Sequence, residues 1–261
     1  MALRGKVAII TGSSSGIGAG IALAFAKEGA KLSLTGRNQK NLEEVVKDCK
    51  TAGCQDVLTN VGDITQDAFR RTLVDTTKKK FGKIDILVNN AGILLINSLI
   101  SATKEEYDTT MAVNLEAPLF LTQLVVPHLI ETKGNVVNNS SCVTTMIMPK
   151  DGLYTMSKAA LDIFTRYLAH ELVSHGVRVN AINPGYVPSQ LGSEVMTDEL
   201  NATPIGRGAT PEEIGHIVVF LASDKAAFVT GECFRADGGL SMTTTNKVEV
   251  EAYADPPVRN I

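Results

Sequence analysis

The chain has 261 residues, of which 44% are apolar and 20% charged, with a formal net charge of −3 and a pI near 5.9. A chain of this size can bury a sizeable core without covalent staples, and the balance is that of a folded globular protein. The slightly acidic charge supplies no basic footprint for nucleic acid, and the four cysteines, at 49, 54, 142 and 233, have neither C-x-x-C nor zinc spacing.

Short β-rich runs alternate with longer helical ones. Val7–Thr11 is an unbroken apolar, β-branched run, the pattern of a strand buried on both faces of a parallel sheet. Ile17–Glu28 has apolar residues at helical spacing and stops at Gly29. Lys31–Thr35, Val57–Val61 and Ile84–Val88 read as further strands, with helices at Asn41–Cys49 and Asp67–Phe81 between them. The basic run Lys78–Lys80 closes the second of these helices and suits its dipole. Leu115–Ile130 reads as a long helix with Pro118 in its first turn, followed by a short strand at Val136–Val137. Leu153–Val173 is a long amphipathic helix, Val177–Ile182 alternates like a strand, Pro211–Ala222 opens with helix-start residues, and Glu232–Ala236 is a final strand.

Strand and helix alternating about seven times predict an α/β protein built on a doubly wound, mainly parallel seven-stranded sheet with helices on both faces. No linker breaks residues 1–240, so one domain is expected there, with 241–261 as a polar tail. No signal-peptide pattern precedes the first strand and no apolar stretch approaches about 18 residues. The expectation is a cytoplasmic protein with reduced thiols and no membrane span.

Two local patterns carry chemistry. Thr11-Gly12-Ser-Ser-Ser-Gly16-Ile17-Gly18 lies between the first strand and the first helix. Glycines there allow a sharp turn and close backbone approach, and the free amides of the helix N-terminus can face a pyrophosphate. Gly12-Ser13-Ser14-Ser15-Gly16 also fits the nucleophile elbow of a serine hydrolase with Ser14 as nucleophile, although the first strand is an early place for one. Further on, Tyr154 and Lys158 are spaced to lie on one helix face, one turn apart.

Together with Asn89-Asn90-Ala91-Gly92, Val113-Asn114, Ser140-Ser141, Asn183-Pro184-Gly185 and Asp237-Gly238-Gly239, these motifs resemble the short-chain dehydrogenase/reductase family over residues 5–240. The resemblance implies a Rossmann fold and hydride transfer between a nicotinamide cofactor and a ketone or secondary alcohol. Tyr154 would be the acid/base, Lys158 would lower its pKa and hold the nicotinamide ribose, Ser141 would orient the substrate oxygen, and Asn114 would hold a relay water. The implied cofactor bed is Gly12, Ser14, Ser15, Gly16, Ile17 and Gly18, then Arg37, Asp63, Asn90, Ala91, Gly92, Pro184, Gly185 and Val187, with Tyr154 and Lys158 at the nicotinamide end. Asn89 would pass near the adenosine ribose. Gly36 stands where relatives that use NAD carry an aspartate, and Arg37 can grip a 2′-phosphate, so NADP(H) is favoured over NAD(H). Leu94, Tyr186 and Met148, with Ser141 and Tyr154, would face a hydrophobic carbonyl or alcohol, under a short lid near 188–204. The family's habit implies a homo-oligomer, dimer or tetramer, through the two long middle helices. Other readings of the same residues are a nucleotide-binding regulator without catalysis and an epimerase or dehydratase.

Overall fold

The computed structural model describes residues 1–188 and 203–242. Most of the expected lid and all but two residues of the expected tail therefore lie outside the described residues. Seven strands form one sheet: β1 (Val7–Ile10), β2 (Lys31–Gly36), β3 (Val57–Val61), β4 (Ile86–Asn89), β5 (Asn135–Asn139), β6 (Arg178–Pro184) and β7 (Cys233–Ala236). Their order is β3-β2-β1-β4-β5-β6-β7, and every neighbouring pair is parallel.

Both faces of the sheet are covered, as the apolar runs require. Successive strand residues point to opposite faces. Ala8 and Ile10 accordingly join one apolar cluster and Ile9 the other. The first cluster takes in α1 (Gly16–Lys27), α2 (Gln39–Thr51) and α7 (Pro211–Ala222). The second takes in α3 (Asp67–Phe81), α5 (Ala117–Thr132) and α6 (Gly152–Leu172). Helix α7 starts where Thr210 accepts from the Glu213 amide and Glu213 accepts in return from the Thr210 amide, with Pro211 at the first helical position. Its Ile214, Val218 and Leu221 are buried, each contributing on the order of 2 kcal/mol of apolar transfer free energy.

The middle of the chain departs from the sequence expectation. A further helix, α4 (Lys104–Met111), precedes the expected one, and a π-helical turn over Ala112–Glu116 joins it to α5. Pro118 thus lies well inside a continuous helical run. It has no N–H to give the carbonyl of Asn114, four residues back, and the π turn widens the helix at that point. The run Lys104–Thr132 spans 29 residues with a mean hydropathy of 1.3 in its most apolar window, enough by length and composition to cross a membrane. That corrects the expectation that no such stretch exists. Leu121, Val125 and Leu129 nonetheless pack beneath the sheet, as in a core-facing helix.

Candidate active site

Strand order reverses direction between β1 and β4, because the chain winds outward through β2 and β3 and then returns to β4. Ligands of open α/β sheets sit at the carboxyl ends of the strands beside such a switch. A cavity of about 750 Å³ lies there. One end is formed by the turn between β1 and α1, the other by the segments after β5 and before α6.

At the first end, α1 begins without a side-chain cap, so its first amides are open to the cavity. Gly18 has no room for a side chain: a Cβ would stand 2.2 Å from the Gly12 carbonyl oxygen and 2.5 Å from Asn90 Nδ2. Asn90 clamps the turn, donating from Nδ2 to the carbonyls of Thr11 at 2.8 Å and Gly12 at 3.1 Å. The Thr11 hydroxyl accepts from the amides of Asn90 and Ala91. Uncapped amides and a backbone bared by glycine fit the pyrophosphate of a dinucleotide. Gly18→Ala is expected to destabilise the fold by about 1–3 kcal/mol, as overpacking does, and to weaken cofactor affinity. Thermal melts and a cofactor titration read the two effects.

At the far end, Lys158 is buried on α6 and donates to the Asn139 carbonyl at 2.7 Å, its Nζ 5.6 Å from the centre of the Tyr154 ring. Ser141, at the end of β5, hydrogen-bonds the Tyr154 hydroxyl. The Ser141 carbonyl accepts from Asn183 Nδ2 at 3.0 Å, which fixes the turn after β5. Ser140 points away and donates to the Lys158 carbonyl at 3.2 Å. Asn139 Nδ2 donates to Asn90 Oδ1 at 2.8 Å, linking the two ends.

A family profile described as enoyl-(acyl carrier protein) reductase matches residues 12–241. The NADP-dependent (R)-specific alcohol dehydrogenase of Lentilactobacillus kefiri is 38% identical over 250 residues, 92% of this chain and 98% of that protein. The 3-oxoacyl-(acyl-carrier-protein) reductase of Thermotoga maritima is 37% identical over 247 residues, 92% of this chain and 99% of that protein. This chain belongs to the short-chain dehydrogenase/reductase family. Among solved structures, the glucose dehydrogenase of Caenorhabditis elegans in its apo form is 40% identical, with a TM-score of 0.83 over 93% of this chain and all of that one. As a short-chain dehydrogenase/reductase the protein is an oxidoreductase that uses a nicotinamide cofactor.

The cavity of this short-chain dehydrogenase/reductase gathers residues from distant parts of the sequence. Gly12, Ser14, Ser15, Gly16, Ile17, Gly18, Arg37, Asp63, Asn90, Ala91, Gly92, Ser141, Tyr154, Lys158, Pro184, Gly185 and Val187 all line it, as do Leu94, Tyr186 and Met148. Asn114 does not. It is fully buried, its Oδ1 accepts from the Ile93 amide, and its Nδ2 donates to the Ile93 carbonyl and the Ser157 hydroxyl. The Asn114 side chain is thus fully engaged, and its main-chain carbonyl lacks the usual donor four residues on, because Pro118 has no N–H. Asn89 is also elsewhere. Its Nδ2 donates to Thr122 and Asn138 inside the second cluster's side of the sheet, while Asn90 meets the cavity. Sequence reading passed over Asp151, which lines the cavity at the start of α6.

The proton affinities of this short-chain dehydrogenase/reductase also differ from expectation. Burial pushes Tyr154 up to about 12, opposed by the hydrogen bond with Ser141 and assisted by Cys142 and Asp151. The sequence-based argument had Lys158 lowering it. Here Lys158 is turned to Asn139, and burial brings its own pKa down to about 8, with Asp162 opposing. The Tyr154 side chain keeps some surface on the cavity. The hydrolase reading loses its base, since no histidine lines the cavity among the described residues.

Proposed function

We propose that this enzyme interconverts a hydrophobic ketone and its secondary alcohol, with NADPH as the favoured hydride donor and Tyr154 as the proton donor. The observation that carries the reading is the meeting of Ser141, Tyr154 and Lys158 at one end of a cavity whose other end offers uncapped helix amides and Arg37. When bound, the nicotinamide supplies or accepts the hydride. Tyr154 holds its proton on Oη at neutral pH, the state required of an acid in reduction. Ser141 hydrogen-bonds the same hydroxyl and orients a carbonyl oxygen against it. Lys158, cationic below about pH 8, offers donors to ribose hydroxyls and favours the phenolate once Tyr154 gives up its proton. We assign the relay water to the Asn114 main-chain carbonyl. Leu94 and Met148 give the substrate end an apolar wall, with Tyr186 beside it. An alcohol dehydrogenase and an oxoacyl reductase among the relatives support the reaction class. A screen following loss of reduced-cofactor absorbance, with ketones sorted by size and polarity, tests it. Turnover confined to charged substrates, or to none, would overturn it.

The cofactor preference rests on Gly36 and Arg37. A Cβ at Gly36 would stand 2.9 Å from the Ser14 hydroxyl, so an acidic side chain there would require Ser14 to shift. Arg37 is exposed at the cavity edge, where it suits a 2′-phosphate. Arg37→Ala is expected to lower the ratio of kcat/KM for NADPH over NADH by about tenfold at low salt, and by less at high salt. An unchanged ratio would refute the assignment. Phe120 on α5, with Ile163 and Tyr167 on α6, exposes 44%, 49% and 68% of its surface, which supports a homo-oligomer formed through these helices. The four cysteines form no disulfide among the described residues, which suits a cytoplasmic enzyme, and residues 1–240 suit one catalytic domain.

A further inference from the structure

Among the described residues, four charged side chains line the cavity: Arg37, Asp63, Asp151 and Lys158. The first two belong to the adenosine end and Lys158 to the proton-transfer end. Asp151 has no role in the reaction as written. It precedes α6, three residues before Tyr154, and its backbone is bridged to Asn97 on the segment after β4. Both strands of that bridge border the substrate end, where Ile96, Met148 and Tyr154 also line the cavity.

Asp151 occupies the position from which an aspartate ordinarily caps a helix, yet its side chain caps nothing. The Thr155 amide bonds instead to the Asp151 main-chain oxygen at 2.8 Å. Among the described residues the carboxylate has no hydrogen-bond or ion-pair partner, and burial raises its pKa to about 6. At neutral pH it remains largely ionised, with open lone pairs in a wall that is mostly apolar. A partly buried carboxylate left without donors is costly, and a donor on the ligand removes that cost. A cationic donor would share the cavity with the Lys158 ammonium, whereas a neutral hydroxyl meets no such repulsion.

We propose that Asp151 is a specificity residue that accepts a hydrogen bond from a substrate hydroxyl close to the reacting carbonyl, so that hydroxylated ketones and the diols they yield are the preferred ligands. The inference rests on the ketone–alcohol reading above, because it needs Tyr154 to mark the reacting end.

The test measures binding without turnover. In protein loaded with the reduced cofactor an alcohol has no hydride acceptor, so its affinity can be titrated at equilibrium. Calorimetry compares 1-phenylethane-1,2-diol with 1-phenylethanol. The wild type is expected to bind the diol about 10–100-fold more tightly, the effect of one hydrogen bond to a charged group. Asp151→Leu should bring the two affinities together, and Asp151→Asn, which keeps an acceptor without the charge, should give an intermediate ratio. Each ratio comes from one preparation, so loss of folded protein does not mimic the effect. Equal binding of diol and alcohol by the wild type, or an undiminished ratio in Asp151→Leu, would overturn the proposal. Failure of the ketone screen would instead overturn the reaction assignment, and the binding ratio would still decide what Asp151 recognises.

Discussion

Tyr154→Phe should reduce ketone turnover by about 10²–10⁴-fold, the range that a positioned acid supplies. The substitution removes one oxygen and leaves the ring in the cavity wall. The hydroxyl it deletes is the group that Ser141 contacts and the one with the strongly raised proton affinity at the substrate end. Cofactor affinity should hold, because the glycine turn, Asn90 and Lys158 are untouched. Stopped-flow reduction alongside a cofactor fluorescence titration separates the two quantities. Retention of wild-type turnover would exclude Tyr154 as the acid, and lost cofactor binding would show that the side chain is structural.

Lys158→Met should have opposite effects on catalysis and on the pH response of stability. Catalysis should fall because the ribose loses charge-assisted hydrogen bonds, each worth about 1.5–3 kcal/mol. The stability effect follows from the pKa, near 10.5 when unfolded and about 8 when folded. Below pH 8 both states carry the proton, and the folded state bears the full cost of a buried cation. Between pH 8 and 10.5 the unfolded chain binds more protons than the folded one, so stability rises with pH. Above 10.5 both are neutral and the cost is gone. The stability of the wild type relative to Lys158→Met should therefore climb by about 3 kcal/mol across that window. Urea melts of the cofactor-free proteins at a series of pH values measure it. A flat difference would mean that Lys158 is well solvated and titrates in the folded protein as it does in the unfolded chain.

The layered architecture was legible because its signals are local. Val7–Thr11 could only be a strand covered on both faces, and glycines between a strand and a helix mark a phosphate turn. Helix α4 was missed because Lys104–Met111 is polar, although Thr103 with Glu106 carries the capping pattern seen in the structure. The boundary at Leu115 fails for a related reason: proline is tolerated in a first turn, which is where that boundary puts Pro118, but a π turn, with no sequence period of its own, lets the helix run past it. Asn89 was assigned to the wrong side, though strand alternation separates it from Asn90. The roles of Asn114 and Asp151 depend on which neighbours already satisfy their polar atoms. For Asn114 those neighbours are Ile93 and Ser157, far from it in sequence, and for the Asp151 carboxylate there are none among the described residues.

The links from Asn90 to the glycine turn, from Asn139 to Asn90 and from Lys158 to Asn139 cross three adjacent strands, β1, β4 and β5. Neighbouring strands stand about 4.8 Å apart, so two spacings, roughly 10 Å, separate the glycine turn from the anchorage of the lysine. The sheet thus acts as a gauge block. The distance between where a dinucleotide is gripped and where its reactive ring must lie is machined into main-chain pairing, and loops on either side can vary without recalibrating it.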